Sequence, residues 1–234
     1  MSCTARLLVD VPLRLLLPAR HRGGSVDVGL DGSSLGHLVQ SAGVPLTEAD
    51  VDAEYRPWAG EVIRVPARRR PQPLPGGAER FVLDVHLGSL ARRMWLLGLD
   101  TTYETEATDV DLVRRSLSED RMLLTKDRGL LCRRALRRGA AYVRGAHADD
   151  QVADAVDRFA PTLAPLTRCP RCNGVLAAVA QREVQSVLEP GTARTYNEFA
   201  RCPQCAQIYW RGAHAASIER MLTGIRRRST TRSG

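Results

Sequence analysis

The sequence predicts a mixed α/β and α+β multidomain protein: a small α+β unit, a mostly parallel α/β sheet and a metal-stapled C-terminal segment. Three observations carry this. Strand-like and helix-like runs alternate between residues 80 and 160. A stretch rich in Arg, Pro and Gly at 67–79 separates them from an N-terminal segment with alternating polar and apolar residues. Two Cys-x-x-Cys pairs stand near the C-terminus.

Residues 1–66 form the first unit. Arg6–Leu17 is mostly apolar and suits a strand, which Pro12 breaks or confines to an edge. Gly23-Gly24 signals a turn, and Ser25–Leu30 alternates as a half-buried strand does. Ser33 or Ser34 caps a helix from Leu35 to Ala42, which Gly43 ends. Glu61–Val65 is a closing strand. This order is that of a β-grasp unit. Residues 67–79, Ala-Arg-Arg-Arg-Pro-Gln-Pro-Leu-Pro-Gly-Gly-Ala-Glu, read as a linker.

Residues 80–164 form the central unit. Arg80–Val85 is a strand; Leu87, Leu90, Met94 and Leu97 then recur at helical spacing until Gly98. Asp111–Glu119 is a second helix and Arg121–Thr125 a buried strand. Leu130–Arg138 is a third helix, Ala140–Arg144 a third strand and Asp149–Phe159 a fourth helix. Such alternation predicts a mostly parallel sheet covered on both faces. Residues 165–223 carry the paired cysteines, and the basic tail 224–234 is expected to be disordered.

The net charge of +8 is almost all arginine, Lys126 being the only lysine. Arginine's planar fork suits phosphate, so the balance points to a nucleic-acid partner, although a solvated arginine-rich surface has the same balance. No run approaches the length of a membrane-crossing helix, and Asp10 and Pro12 interrupt any leader-like start. A cytoplasmic location without membrane association is the expectation.

Cys169-Pro-Arg-Cys172 and Cys202-Pro-Gln-Cys205 supply four thiolates. Two-residue spacing turns both sulfurs of a pair toward one ion, and four thiolates close a tetrahedral zinc site that is structural. The gap between the pairs has room for a hairpin arm with Pro190-Gly191 in its loop. Two redox-active thiol pairs are the competing reading.

Asp84 lies near the end of the first central strand, Asp127 just past Arg121–Thr125, and Asp109 just before the second helix. Ligands of open α/β sheets bind at the carboxyl ends of strands. Converging carboxylates attract a hard cation such as Mg²⁺ or Mn²⁺, whose chemistry is phosphate binding and water activation. Arg92, Arg93, Lys126 and Arg128 flank the acids and suit substrate phosphates. Arg211 and His214 follow the second cysteine pair and are candidates for further nucleic-acid contacts, with a satisfied polar residue the competing reading of His214. The competing reading makes the three aspartates helix caps and turn residues.

At these residues the chain resembles the Mut-seven C-terminal ribonuclease family. The matching stretches are Asp84-Val-His-Leu-Gly-Ser-Leu-Ala-Arg92, Leu97-Gly-Leu-Asp-Thr101, Leu123-Leu-Thr-Lys-Asp127, Cys169-Pro-Arg-Cys-Asn-Gly174 and Glu198–His214. Gly43-Val-Pro-Leu-Thr-Glu48 resembles the ubiquitin-like β-grasp domain that often precedes this domain. The resemblance implies a PIN-like fold, a zinc ribbon and metal-dependent hydrolysis of RNA. Asp84, Asp109 and Asp127 fall on the family's acidic positions, with Asp111 a near neighbour of Asp109. A fourth acid has no clear counterpart beyond Asp149 or Asp150, and Lys126 stands where arginine is expected. The β-grasp unit then becomes a site for a protein partner. A noncatalytic RNA-binding adaptor and a toxin-like nuclease are the alternatives. His86 is expected on the surface, and Cys132 buried on a helix.

Overall fold

A computed structural model describes residues 3–210, 212 and 215–230. The N-terminal sheet contains β1 (Thr4–Val9), β2 (Ser25–Gly29) and β3 (Val62–Val65) in the order β2-β1-β3. β1 runs antiparallel to β2 and parallel to β3, with α1 (Leu35–Ser41) between β2 and β3 in the chain. Ala5, Leu7 and Val9 alternate inward along β1 and share a core with Leu35 and Val39 of α1. The apolar run after β1 does not extend the strand. Pro12 lacks the N–H a ladder needs and fits the first turn of a 3₁₀ helix, Val11–Leu16, whose Leu13 and Leu16 reach the same core.

The central sheet alternates β4 (Arg80–Leu83), α2 (Gly88–Leu96), β5 (Asp100–Tyr103), α3 (Asp109–Ser118), β6 (Met122–Thr125), α4 (Arg128–Leu131), β7 (Ala140–Tyr142) and α5 (Ala148–Phe159). All four strands are parallel, in the order β5-β4-β6-β7. Pleating sends Phe81 and Leu83 of β4 into one core with α2 and α5, and Val82 into another with Leu112 of α3 and Leu130 of α4. The sheet is therefore covered on both faces. β5 was not expected as a strand. Its Thr-Thr-Tyr run has strand character, but Gly98 just before it and Glu104 and Glu106 after it read as a loop.

The expected helix Leu130–Arg138 is instead α4 followed by a 3₁₀ turn, Arg134–Leu136. Of residues 132–137 only Leu136 is buried, so no continuous apolar stripe holds a longer helix in place. Cys132, at the end of α4, is exposed rather than buried.

The third sheet contains β8 (Ala177–Val179), β9 (Phe199–Arg201) and β10 (Ile208–Trp210), antiparallel in the order β10-β9-β8. Between β8 and β9 lie α6 (Gln181–Val184) and α7 (Pro190–Thr195). Pro190-Gly191 thus opens a helix rather than a hairpin loop, because proline's missing N–H costs nothing in a first turn. The tail expected to be disordered is helical as far as it is described: α8 spans Ala215–Thr230. Ile218, Met221 and Ile225 recur at helical spacing and enter the core shared by α2 and α5. Residues 231–234 lie outside the described residues.

The expected linker is docked. Arg70 pairs with Asp154 and Asp157 of α5 at 2.8 and 2.7 Å. Across the same seam, Arg158 of α5 donates from Nη1 and Nη2 to Glu48 of the N-terminal unit at 2.9 and 2.8 Å. Both side chains are buried, and the backbone N–H of Tyr142 also donates to Glu48. Among the described residues no helix is long and apolar enough to cross a membrane.

Candidate metal centre and acidic site

Two turns of like construction form the metal centre. In the first, the N–H of Cys169 donates to Gly174 O and that of Asn173 to Cys169 O; in the second, Cys202 donates to Gln207 O and Ala206 to Cys202 O. Asn173 (φ 66°) and Ala206 (φ 58°) take the left-handed conformation that bends each turn back on itself. The four Sγ atoms lie within 4.8 Å of one another. The Cys169–Cys205 and Cys172–Cys202 separations are 3.6 and 3.5 Å. Zn–S bonds of about 2.3 Å give a tetrahedron with edges of about 3.8 Å, whereas a disulfide closes to about 2.05 Å. The donor set and its spacing therefore fit structural zinc.

The electrostatics agree. Burial disfavours the Cys169 thiolate, but the Tyr209 hydroxyl and the backbone N–H groups of the turn outweigh it and bring the thiol to about 7. Burial, with the neighbouring sulfurs of Cys202, Cys169 and Cys205, pushes Cys172 up to about 12. Full ionisation of all four thiols needs a cation among them.

The cysteine unit docks on the edge strand β5. Asp100 accepts from Arg121 at 2.9 Å and from Asn173 Nδ2 at 3.3 Å, and pairs with Arg168 at 3.2 Å. Burial raises the Asp100 carboxyl, but Arg121 and Arg168 outweigh it and hold it below the ordinary carboxylate range. The sequence alone does not mark Asp100 for this role. Asp100 lies inside the matching stretch Leu97–Thr101, but its partners come from Arg121, Arg168 and Asn173, which are distant in the chain.

The acidic site lies at the carboxyl ends of the central strands. The order β5-β4-β6-β7 reverses direction at β4 and β6, the switch point where open α/β sheets bind ligands. Asp84 follows β4 and is buried; Asp127 follows β6. Thr125, the last residue of β6 and itself fully buried, joins them. Its hydroxyl donates to Asp84 Oδ2 at 2.5 Å and accepts from the Asp127 N–H at 2.8 Å. The sequence shows Thr125 at a strand end two residues before an aspartate, but not its contact with Asp84.

The aspartates also make the bonds of the competing reading. Asp127 Oδ1 caps α4, accepting from Gly129 N at 2.7 Å and Leu130 N at 3.3 Å. Asp109 Oδ2 accepts from Arg133 at 2.9 Å and is half exposed. Asp111 is committed to a capping box with Thr108 and to Arg114. Among the described residues the four cysteines are the one group of three or more potential ligands gathered within 4.8 Å. Asp84, Asp109 and Asp127 do not form a closed three-ligand cradle.

Of the flanking basic residues, Arg93 pairs with Asp149 at 2.7 Å, Lys126 donates to Gly145 O at 2.7 Å, and Arg128 donates to Leu16 O of the N-terminal unit at 2.7 Å. Arg92 is exposed in the wall of a cleft of about 530 Å³ with Arg114, Arg115 and Arg171. Neither Asp84 nor Asp127 lines that cleft. His86 is on the surface, as expected. Arg211 and His214 lie outside the described residues.

No curated protein and no solved structure matches the chain. The family model described as the Mut7-C RNAse domain matches residues 79–222, which takes in the whole central sheet, the acidic site and the four cysteines. With more than half of its length under that match, the chain belongs to the Mut7-C RNAse domain family.

Proposed function

We propose that the chain is a metal-dependent ribonuclease that hydrolyses phosphodiester bonds of single-stranded or flexible RNA at the carboxyl ends of β4 and β6. The observation that carries this reading is the Thr125 hydroxyl, which donates to the Asp84 carboxylate and accepts from the Asp127 backbone N–H at the switch point of the sheet. Magnesium keeps several waters and takes one or two carboxylates together with substrate phosphate, so a two-aspartate site suits it. Asp84 and Asp127 would hold Mg²⁺ or Mn²⁺, with Asp109 a third ligand once separated from Arg133. The bound ion supplies charge neutralisation at phosphorus and a more acidic water. Thr125 orients the Asp84 carboxylate, and Arg92 offers a guanidinium to the RNA backbone. Structural zinc on Cys169, Cys172, Cys202 and Cys205 holds the C-terminal sheet against β5. The N-terminal unit serves as a β-grasp docking module for a protein partner.

The test is cleavage of a labelled single-stranded RNA with Mg²⁺ or Mn²⁺ by wild type, Asp84→Asn and Asp127→Asn, with folding and zinc content checked in each. Metal-dependent cutting lost in both variants supports the reading. The Arg133 pair and the capping role of Asp127 favour a second reading, a noncatalytic RNA-binding adaptor. RNA binding that persists without divalent metal, and no cleavage on adding it, selects the adaptor.

A further inference from the structure

A second basic feature lies in the seam between the N-terminal and central units. A cleft of about 420 Å³ there is lined by Arg68, Arg69, Arg70, Arg144, Arg158 and Glu48. Three of these arginines have carboxylate partners. Arg158 is held by Glu48, and Arg70 by Asp154 and Asp157. Arg144 reaches Glu48 only at 3.7 Å. Arg68 and Arg69 form no ion pair among the described residues; Arg68 donates from Nη2 to Leu46 O at 3.2 Å.

The Nε–H groups of Arg68 and Arg144 are both buried and have no hydrogen-bond acceptor among the described residues. A buried donor without an acceptor is costly, and more so on a charged group. Burial, with the nearby charge of Arg70, also pushes the Arg144 guanidinium down from its ordinary value, against the pull of Asp154 and Glu48. The cleft thus gathers more positive charge and more donors than its own carboxylates satisfy.

We propose that this seam is a binding site for a tetrahedral phosphate oxyanion, either inorganic phosphate or the terminal phosphate monoester of an RNA. Guanidinium groups of the linker (Arg68, Arg69) and of the central unit (Arg144) line the same cleft, which suits several oxygens on one centre. The volume exceeds that of a lone phosphate and leaves room for part of an attached sugar. The linker arginines, which the sequence presents only as a charge run, acquire a ligand in this way. Bound anion would tie the two units together. The proposal does not rest on the nuclease reading, and its test uses no cleavage.

Isothermal titration calorimetry of the full zinc-loaded chain with inorganic phosphate, at constant ionic strength set by NaCl, is the direct experiment. Saturable binding is expected, weakened at least about tenfold in the Arg69→Gln/Arg144→Gln variant. Should that variant fail to fold, Arg69→Gln alone, at an exposed position, is expected to weaken binding measurably. Anisotropy of 5′-phosphorylated and 5′-hydroxyl RNA without divalent cations then identifies the source of the phosphate. A preference for the phosphorylated end that disappears in Arg69→Gln assigns the RNA terminus, whereas equal affinities assign the free anion. No saturable phosphate binding, or equal affinity in wild type and Arg69→Gln, overturns the site.

Discussion

At the cysteine centre four ligand atoms converge from two turns of the same construction, whereas the acidic side chains come from three separate connections and are already bonded to protein. Asp84 accepts from Thr125, Asp109 from Arg133, and Asp127 from the first N–H groups of α4. The first arrangement is complete apart from a cation and leaves it no open position. The second holds each carboxylate in place but asks an incoming ion or substrate to compete with protein partners. The two arrangements differ in this way: one removes alternatives and the other retains them.

Removing the metal is expected to have the largest effect. A high-affinity chelator is expected to abolish hydrogen-exchange protection in β8–β10, because structural zinc contributes about 10–16 kcal/mol to such a unit. β4 and β6 should stay protected, since their core is independent of the sulfurs. Protection of β9 that survives chelation would show that the cysteines are no staple.

Next in size is the seam carboxylate Glu48, which shares the closed character of the cysteine centre. Glu48→Gln leaves Arg158 buried with weakened compensation and is expected to cost about 3–5 kcal/mol in urea unfolding. A loss under 1 kcal/mol would mean water already reaches the pair.

Thr125→Ala probes the open site directly. Removing a group that orients a ligand typically costs about 10–100-fold in activity or metal affinity, and Thr125→Ser should restore most of it. Unchanged RNA cleavage in Thr125→Ala would detach the hydroxyl from the chemistry.

Ala206 holds a left-handed conformation in an exposed turn, so Ala206→Gly should stabilise the zinc-loaded protein by about 1 kcal/mol in thermal unfolding. Arg133→Gln removes an exposed ion pair worth under about 1 kcal/mol and, if Asp109 is a ligand, should lower the Mg²⁺ concentration needed for half-maximal cleavage by up to about fivefold. An unchanged requirement would remove Asp109 from the site.

These differences also explain what was legible in the sequence. The cysteine centre was readable because Cys-x-x-Cys encodes its own geometry within four residues. Asp84 and Asp127 were readable as strand-end acids, because β4 and β6 have the continuous apolar runs of buried strands. Arg133 beside Asp109, and Thr125 between its two neighbours, depend on strand order and side-chain direction, which spacing along one chain does not carry. β5 went unseen because its burial comes from the neighbouring strand rather than from its own hydrophobicity. The docked linker was missed for a related reason. Arg70 and Gln72 are polar, and their order comes from Asp154, Asp157 and Arg158 more than eighty positions away.

Helix α8 has a consequence for how the chain tolerates damage. The cysteine unit leaves the central core at Ala164 and Leu166, whose N–H groups donate to Leu97 and Leu96, and the chain returns to that core through Ile218, Met221 and Ile225. The intervening segment is therefore a loop tied at both ends, not an appendage. The entropy of closing a loop grows only with the logarithm of its length, so this segment can melt, lengthen or be trimmed at modest expense to the sheet. Shortening the chain from its C-terminus is a different injury. A stop placed before Ile218 would strip three apolar side chains from the far wall of the central core while leaving every cysteine in the product.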